Sequence, residues 1–276
     1  DRVRREVGEL GVLEHGQGLR RGTETGARIL TLFLTRDAST FVRENYERVR
    51  KQIGVVQDVY VVSASPVPVE NNIVVPVPQS FPLPIRIGVS INKALERIGA
   101  RGYTHIFKVD SDVKLPPDYL ANLLSKGKPV AGRGGALLIS MGFLRKILGG
   151  KYPVNYCDDG YVAAVSVAHG WWPPEYDGES HLLYPVVHQH LREYAYGYEY
   201  YKWGLPLSLF ILIAPVLLAT GQRDLRSLMC NIAGYLSALL RGEKRYPWWR
   251  SYAHYRVKHF VQRAARAFVK IARKET

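Results

Sequence analysis

The chain has 276 residues, 47% hydrophobic and 22% charged, enough to bury a sizeable core and too apolar for a disordered segment. Two cysteines, Cys157 and Cys230, stand in no motif spacing, which argues against a disulfide framework or a zinc site and suits a reducing interior. The net charge of +14 is uneven: residues 241–276 carry eleven Lys/Arg and two Glu, a net of +9, against +5 for the other 240 residues, so an anionic partner is expected (a lipid surface, nucleic acid or a phosphorylated substrate).

Residues 1–25 read as a polar arm whose charged opening, DRVRREVGELGVLEHG, has no apolar stretch of the signal-peptide kind. ARILTLFLT, at 27–35, reads as a buried strand. In FVRENYERVRKQIG the apolar positions Val42, Tyr46, Val49 and Ile53 repeat at helical spacing, with Gly54 as the stop. DVYVVSAS is a second strand. NNIVVPVP is a third extended piece that its prolines confine to an edge or a strand end. Ile87, Ile91, Leu95 and Ile98 mark a helix over RIGVSINKALERIG. THIFKVDSD then reads as a fourth strand, DYLANLLSKG as a short helix and PVAGRGGALLIS as a strand with a glycine bend. Strands alternating with helices predict an α/β domain with a mainly parallel sheet over 26–185.

From 186 to 276 the texture is helical. A tyrosine-dense stretch, REYAYGYEYYKWG, precedes a 15-residue apolar run at 205–219 that contains two prolines. That run is shorter than the roughly 20 residues of a spanning helix, so a re-entrant, interfacial or protein-buried segment is expected. Leu225, Leu228, Ile232, Tyr235, Leu236 and Leu239 share one face of the next helix. The last helix sets Val257, Phe260, Val261, Ala264, Phe268 and Ile271 beside a stripe of Arg256, His259, Arg263, Arg266, Lys270 and Arg273. An apolar stripe beside a basic one fits a helix lying on an anionic membrane surface, and a docked surface helix has the same pattern.

Three constellations could carry chemistry. Asp110 and Asp112 end the fourth strand, where ligands gather in open α/β sheets. Acids one residue apart can face the same side of an extended strand end, and Mg²⁺ or Mn²⁺ shares such oxygens with substrate phosphates. The same pair could simply open a loop. Asp158 and Asp159, 46 and 47 residues after Asp112, open a predicted helix, as a general base or as an acidic cap. VVHQHLREYAYGY sets His188 and His190, which could be plainly structural, beside Arg192, whose guanidinium suits phosphate oxygens.

The stretch RIGVSINKALERIGARGYTHIFKVDSDVKLPPDYLANLL resembles the central block of family 2 glycosyltransferases. In that pattern an Arg/Gly-rich helix with an Asn precedes a strand, a D-x-D and an x-P-x-x-L helix. Arg86, Gly88, Asn92, Ala94, Asp110, Asp112, Pro117 and Leu120 match it, and the resemblance runs over about 29–170. It implies the GT-A fold, a Rossmann-like nucleotide-diphospho-sugar transferase, with a C-terminal amphipathic helical region.

By the same likeness the activity is an inverting transfer that depends on Mn²⁺ or Mg²⁺. Asp159 is the general base, with Asp158 its neighbour in place of the family's Glu. Asp112 holds the metal, with Asp110 and His188 as further candidates, Asp110 otherwise facing the ribose or sugar, and His188 or His190 completing the metal site or contacting the diphosphate. The donor side comprises Thr35, Arg36, Asp37, Ser63, Arg86, Asn92, Asp110 and Arg192. Gly149 and Gly150 match the family's glycine-rich acceptor-side loop, although glycine pairs also form ordinary turns. Trp171 and Trp172 could stack on a sugar or line an acceptor groove, and could equally be packing aromatics.

The pattern breaks after the second strand. VVSASP lacks the family's nucleoside-binding acid, so Ser63, Ser65 or Asp37 takes its place and the base stays open. Gln189 and Arg192 echo the Q-x-x-R-W of processive synthases, but Glu193 stands at the Trp. The expected partners are a nucleotide-sugar donor, a lipid-linked or membrane-near acceptor and an anionic membrane, at the cytoplasmic face of the cell membrane. A nucleotidyltransferase is the enzymatic alternative, though TRDASTFVREN lacks that class's phosphate loop. A non-catalytic basic protein binding nucleic acid or membrane is the other, yet no nucleic-acid motif is visible and no such partner is expected.

Overall fold

The computed structural model describes residues 26–178, 181–182, 190–219, 221 and 223–272. RILTLFL forms β1 (Arg28–Leu34), buried at six of its seven residues because layers cover both sides of a central parallel strand. It pairs in parallel with β2 (Val56–Ser63) on one side and β4 (His105–Asp110) on the other, and β3 (Asn72–Val74) adds to the edge of β2. The sheet is completed by β7 (Ala136–Ser140), antiparallel to β4, and β6 (Val130–Arg133), antiparallel to β7, in the order β3-β2-β1-β4-β7-β6.

The mainly parallel sheet agrees with the sequence reading, with one correction. PVAGRGGALLIS is an antiparallel hairpin, β6 and β7, rather than a single bent strand. It reverses at Gly134–Gly135, with Gly134 at φ +47. The short alternating runs on either side gave no sign of the reversal, because glycine serves a bend and a hairpin equally well.

Strand alternation sorts the core into two layers. Leu30, Leu32, Ile106 and Leu137 face α2 (Leu83–Ile98) and α5 (Asp158–Ala168), packing with Ile91 and Val162. Ile29, Phe33, Phe107 and Val109 face α1 (Arg43–Arg50) and α3 (Tyr119–Ser125), packing with Val49 and Leu120. α1 ends before Ile53, which is exposed, and the Ile53 amide instead donates to the Pro117 carbonyl. A short helix the sequence reading lacks, α4 (Met141–Lys146), follows β7, its N-terminus capped by the Ser140 hydroxyl. A second, two-stranded ladder pairs β5 (Val113–Lys114) with β8 (His181–Leu182), so the chain after α5 returns beside the D-x-D.

The C-terminal part consists of α6 (His190–Trp203), α7 (Leu207–Ala219), α8 (Leu225–Leu240) and α9 (Trp249–Ala272). α5 belongs to both parts. Val162 and Val165 face the sheet, while Ala164, Val167 and Ala168 pack with Trp203, Leu205, Phe210, Leu228 and Tyr252. α7 is the apolar run expected at 205–219, with Pro215 inside it, and among the described residues no helix is long and apolar enough to cross a membrane. Its Ile211, Leu212 and Val216 are exposed.

Glu193, whose place in the sequence argued against a processive synthase, is buried and accepts from Arg223 on the α7–α8 connection and Asn231 on α8. α6 and α8 cross at Gly197 and Gly234: a Cβ on Gly197 would collide with the Asn231 carbonyl, and one on Gly234 with the Tyr194 carbonyl. Gly197→Ala is therefore expected to cost about 1–3 kcal/mol of stability in urea unfolding. Gly142→Ala, whose added Cβ meets nothing within 4 Å, should be neutral or stabilising by up to about 1 kcal/mol.

Candidate active site

The chain leaves β1 for β2 and reaches β4 from β3 by way of α2, so strand order reverses between β1 and β4. The crevice beyond the carboxyl ends of these two strands is where open α/β sheets bind ligands. It receives residues 35–37 from β1 and 110–112 from β4.

Asp37 organises the first loop. Its Oδ1 accepts from the Ser39 and Thr40 amides at 2.9 and 3.1 Å, and Arg36 Nε donates to its Oδ2 at 2.7 Å. The Ser39 hydroxyl and then Arg36 hold its carboxyl well below the usual range. The Thr35 hydroxyl is shared within the loop with Thr40. Arg36 and Asp37, with Ser65 after β2 and Pro76, Val77 and Gln79 after β3, line an open cleft of about 430 Å³. Ser63 does not line it: it is buried, and its hydroxyl accepts from Asn72 Nδ2 at 2.8 Å. Ser63, the last residue of β2, is tied to the edge strand β3 through Asn72, and the turn of the chain beyond the strand leaves Ser65 to face the cleft.

Ser111 fixes the two acids at the end of β4. Its amide donates to the Leu34 carbonyl and its hydroxyl to Thr40 O, while its carbonyl accepts from Asn45 Nδ2 of α1. Asp112 is half-exposed, and its carboxylate has no hydrogen bond or ion pair among the described residues. Asp110 turns inward, against the glycine hairpin.

There it meets a residue that the sequence reading passed over. Lys108, 1% exposed, places Nζ 3.1 Å from Asp110 Oδ1 and 3.2 Å from Oδ2. Only the second contact has hydrogen-bond geometry, and Oδ1 is buried without one. The same Nζ donates to Asp159 at 3.0 and 3.2 Å and to the Gly134 carbonyl at 3.3 Å. Burial alone would lower the ammonium's pKa, but Asp110 and Asp159 outweigh it and raise the group above the ordinary lysine range. Burial raises Asp110, against the pull of Lys108. The signal was available: a lone cation two residues before an acid in an apolar strand shares that acid's face.

Tyr152 holds Asp158 and Asp159. Its hydroxyl lies 3.0 Å from Asp158 Oδ2 and 2.9 Å from Asp159 Oδ1. Burial, then the charge of Asp159, raises the Asp158 carboxyl. Asn92 reaches this acid pair only through Tyr152: it donates to the Tyr152 carbonyl and accepts from its amide, both at 2.8 Å. Gly88, one turn earlier on α2, lets this segment approach, since a Cβ there would collide with the Pro153 carbonyl. Asn92 therefore positions the acids rather than reaching the cleft. Arg86 lies in the first turn of the same helix, with its Nε buried and unbonded.

The remaining predicted residues fall elsewhere or lie outside the described residues. Arg192 on α6 donates to the Tyr196 hydroxyl at 2.6 Å, and its charge acts on Cys157, next to Asp158. Gly149 and Gly150 form the left-handed turn closing α4, where the Gly150 amide donates to the Leu144 carbonyl. Trp171 packs on Phe143, and Trp172 lies flat on His259 at 3.8 Å with Arg256 on its ring. Both tryptophans follow the far end of α5, an eleven-residue helix that spans roughly 16 Å. They dock helices instead of lining the crevice. His188 lies outside the described residues, and His190 begins α6. Among the described residues no three His, Cys, Asp or Glu side chains form a ready metal cage.

No protein-family model and no curated protein matches the chain. A solved structure of the mannosyltransferase PcManGT from Pyrobaculum calidifontis, in complex with GDP-Man and Mn²⁺, is similar over 90% of this chain and 83% of that one, at 13% identity and a TM-score of 0.49. At that distance it assigns no residue roles.

Tyr152→Phe should cost about 1–3 kcal/mol in urea unfolding, because it strips the hydroxyl from buried Asp158. Asn92→Ala should cost a similar amount by releasing the Tyr152 segment.

Proposed function

We propose that the chain is a metal-dependent, inverting glycosyltransferase that moves a sugar from a nucleotide-sugar donor to a lipid-linked or membrane-near acceptor. The observation that carries this is the convergence of Asp110, Asp158 and Asp159 around Lys108 and Tyr152 beside the crevice at the strand-order reversal, where the Asp112 carboxylate has no hydrogen bond or ion pair among the described residues. A cleft of a size suited to a nucleoside opens beside it, at the ends of β1 to β3.

The residues present suit a hard divalent cation. Mg²⁺ and Mn²⁺ commonly sit on one or two carboxylates and complete their shell with substrate phosphates and water. Asp112, without a hydrogen bond or ion pair among the described residues, is the acid that would hold one, and the ion would supply charge stabilisation for the departing diphosphate. Arg36 and Ser65 face the nucleoside. Asp159, oriented by Lys108 and Tyr152, takes the proton of the acceptor hydroxyl. Arg192 adds positive charge on the side from which the acceptor's phosphates would approach.

The exposed Ile211, Leu212 and Val216 of α7, with Leu225, Met229 and Leu240 of α8, form apolar surface on a part of the chain rich in arginine and lysine. Such a surface suits peripheral binding to an anionic membrane, which we place at the cytoplasmic face of the cell membrane.

A screen of nucleotide sugars with Mn²⁺, read as donor binding and diphosphate release, tests the activity. Asp112→Ala should abolish metal-dependent donor binding. Asp159→Asn should bind donor nearly as the unaltered chain does and lose transfer by a hundredfold or more. If Asp112→Ala binds metal and donor normally, the assignment is wrong. In vesicle flotation, the chain should bind anionic vesicles, bind neutral ones poorly and release with salt, and Leu212→Asp with Val216→Asp should weaken the binding. Equal binding to neutral vesicles would exclude the electrostatic part.

A further inference from the structure

Lys108 is a buried cation on the face of β4 that otherwise adds Ile106 to an aliphatic core. An ammonium there is costly to desolvate, and a well-packed apolar side chain can be as stable in such a place, so the pairing is weak evidence of a purely stabilising role. All the donors of a lysine are occupied, by Asp110, Asp159 and the Gly134 carbonyl. The two carboxylates it joins come from separate elements, the end of β4 and the start of α5, and no hydrogen bond between them is possible while both are ionised.

We propose that the Lys108 ammonium is a resident counter-ion that bridges Asp110 and Asp159, sets their separation and removes Asp110 from the metal's ligand set. A divalent cation is then held by Asp112 and the donor's phosphates. A metal on Asp110 would have to approach oxygens that already lie 3.1 and 3.2 Å from Nζ, and the two cations would repel each other there. The consequence is a division of labour: the first acid of the D-x-D is tied to the acceptor-side acid, and the second is left for the metal. Lys108 is a positioning residue in this scheme. The proposal rests on the crevice being a metal and diphosphate site, but its counter-ion half can be tested without any transfer reaction.

The first measurement titrates Mn²⁺ alone into the full chain, followed by electron paramagnetic resonance. Lys108→Met removes the charge and keeps the length, leaving Asp110 and Asp159 facing each other without a cation. It should bind Mn²⁺ at least tenfold more tightly than the unaltered chain, and adding Asp159→Asn should abolish the gain. No gain in a folded Lys108→Met chain, or a gain that survives Asp159→Asn, overturns the proposal. The second measurement does not depend on that variant folding. It uses Mn²⁺ with inorganic pyrophosphate, which offers a diphosphate and no ribose. Asp110→Asn should bind within about twofold of the unaltered chain, whereas Asp112→Ala should lose binding. Loss on Asp110→Asn as complete as on Asp112→Ala overturns the proposal. Failure of the unaltered chain to bind Mn²⁺ and pyrophosphate would overturn the metal–diphosphate reading instead, and the Mn²⁺-alone titration would still decide the counter-ion.

Discussion

The buried ammonium of Lys108 ties the sheet to α5 at the one place where both present acids. Asp110 and Asp159 would repel each other across the crevice without it, and burial already disfavours ionised Asp110. With the cation between them, the N-terminus of α5 is held against the end of β4. The orientation of α5 matters beyond the site, because its opposite face carries the packing of Trp203, Leu228 and Tyr252 from the C-terminal helices. One ion-pair cluster thus stands at the junction of the two halves of the chain.

A second line of support reaches the same acids from α2. Gly88 has no side chain to keep residues 153–154 away, and Asn92, a turn later, clamps the Tyr152 backbone through two hydrogen bonds. The Tyr152 hydroxyl then meets both Asp158 and Asp159. The Gly and Asn of RIGVSIN serve the acid pair from a distance of two contacts. Lys108 and Tyr152 both donate to Asp159 Oδ1, which restricts its carboxylate to a narrow set of orientations.

The main elements were legible because their periods differ. Aliphatic runs bounded by turns marked the strands, and spacings of three and four marked α2 and α8. The two acid pairs were legible from their places at a strand end and a helix start. What failed to show depended on contacts between distant residues. Gly134–Gly135 reads as a bend until β6 and β7 are seen to pair. Ser63 and Ser65 differ by one strand period, and the turn of the chain after β2, not their identity, gives the cleft to Ser65. Trp171 and Trp172 look like sugar-stacking residues in a list of residue types, but they follow the wrong end of a helix and pack on Phe143 and His259.

The alternation of the main strands and helices, the positions of Asp110, Asp112, Asp158 and Asp159, and the basic charge of the C-terminal region were determined by the sequence alone, because each is a matter of local spacing and residue type. The contacts within the acid cluster were decided by the tertiary structure. Lys108 reads as one charge in an apolar strand until β4 and α5 meet and give its three donors to Asp110, Asp159 and Gly134. Local sequence records which face a side chain shares with its neighbours; only folding decides what stands on the other side of that face, and a buried charge takes its meaning from what stands there.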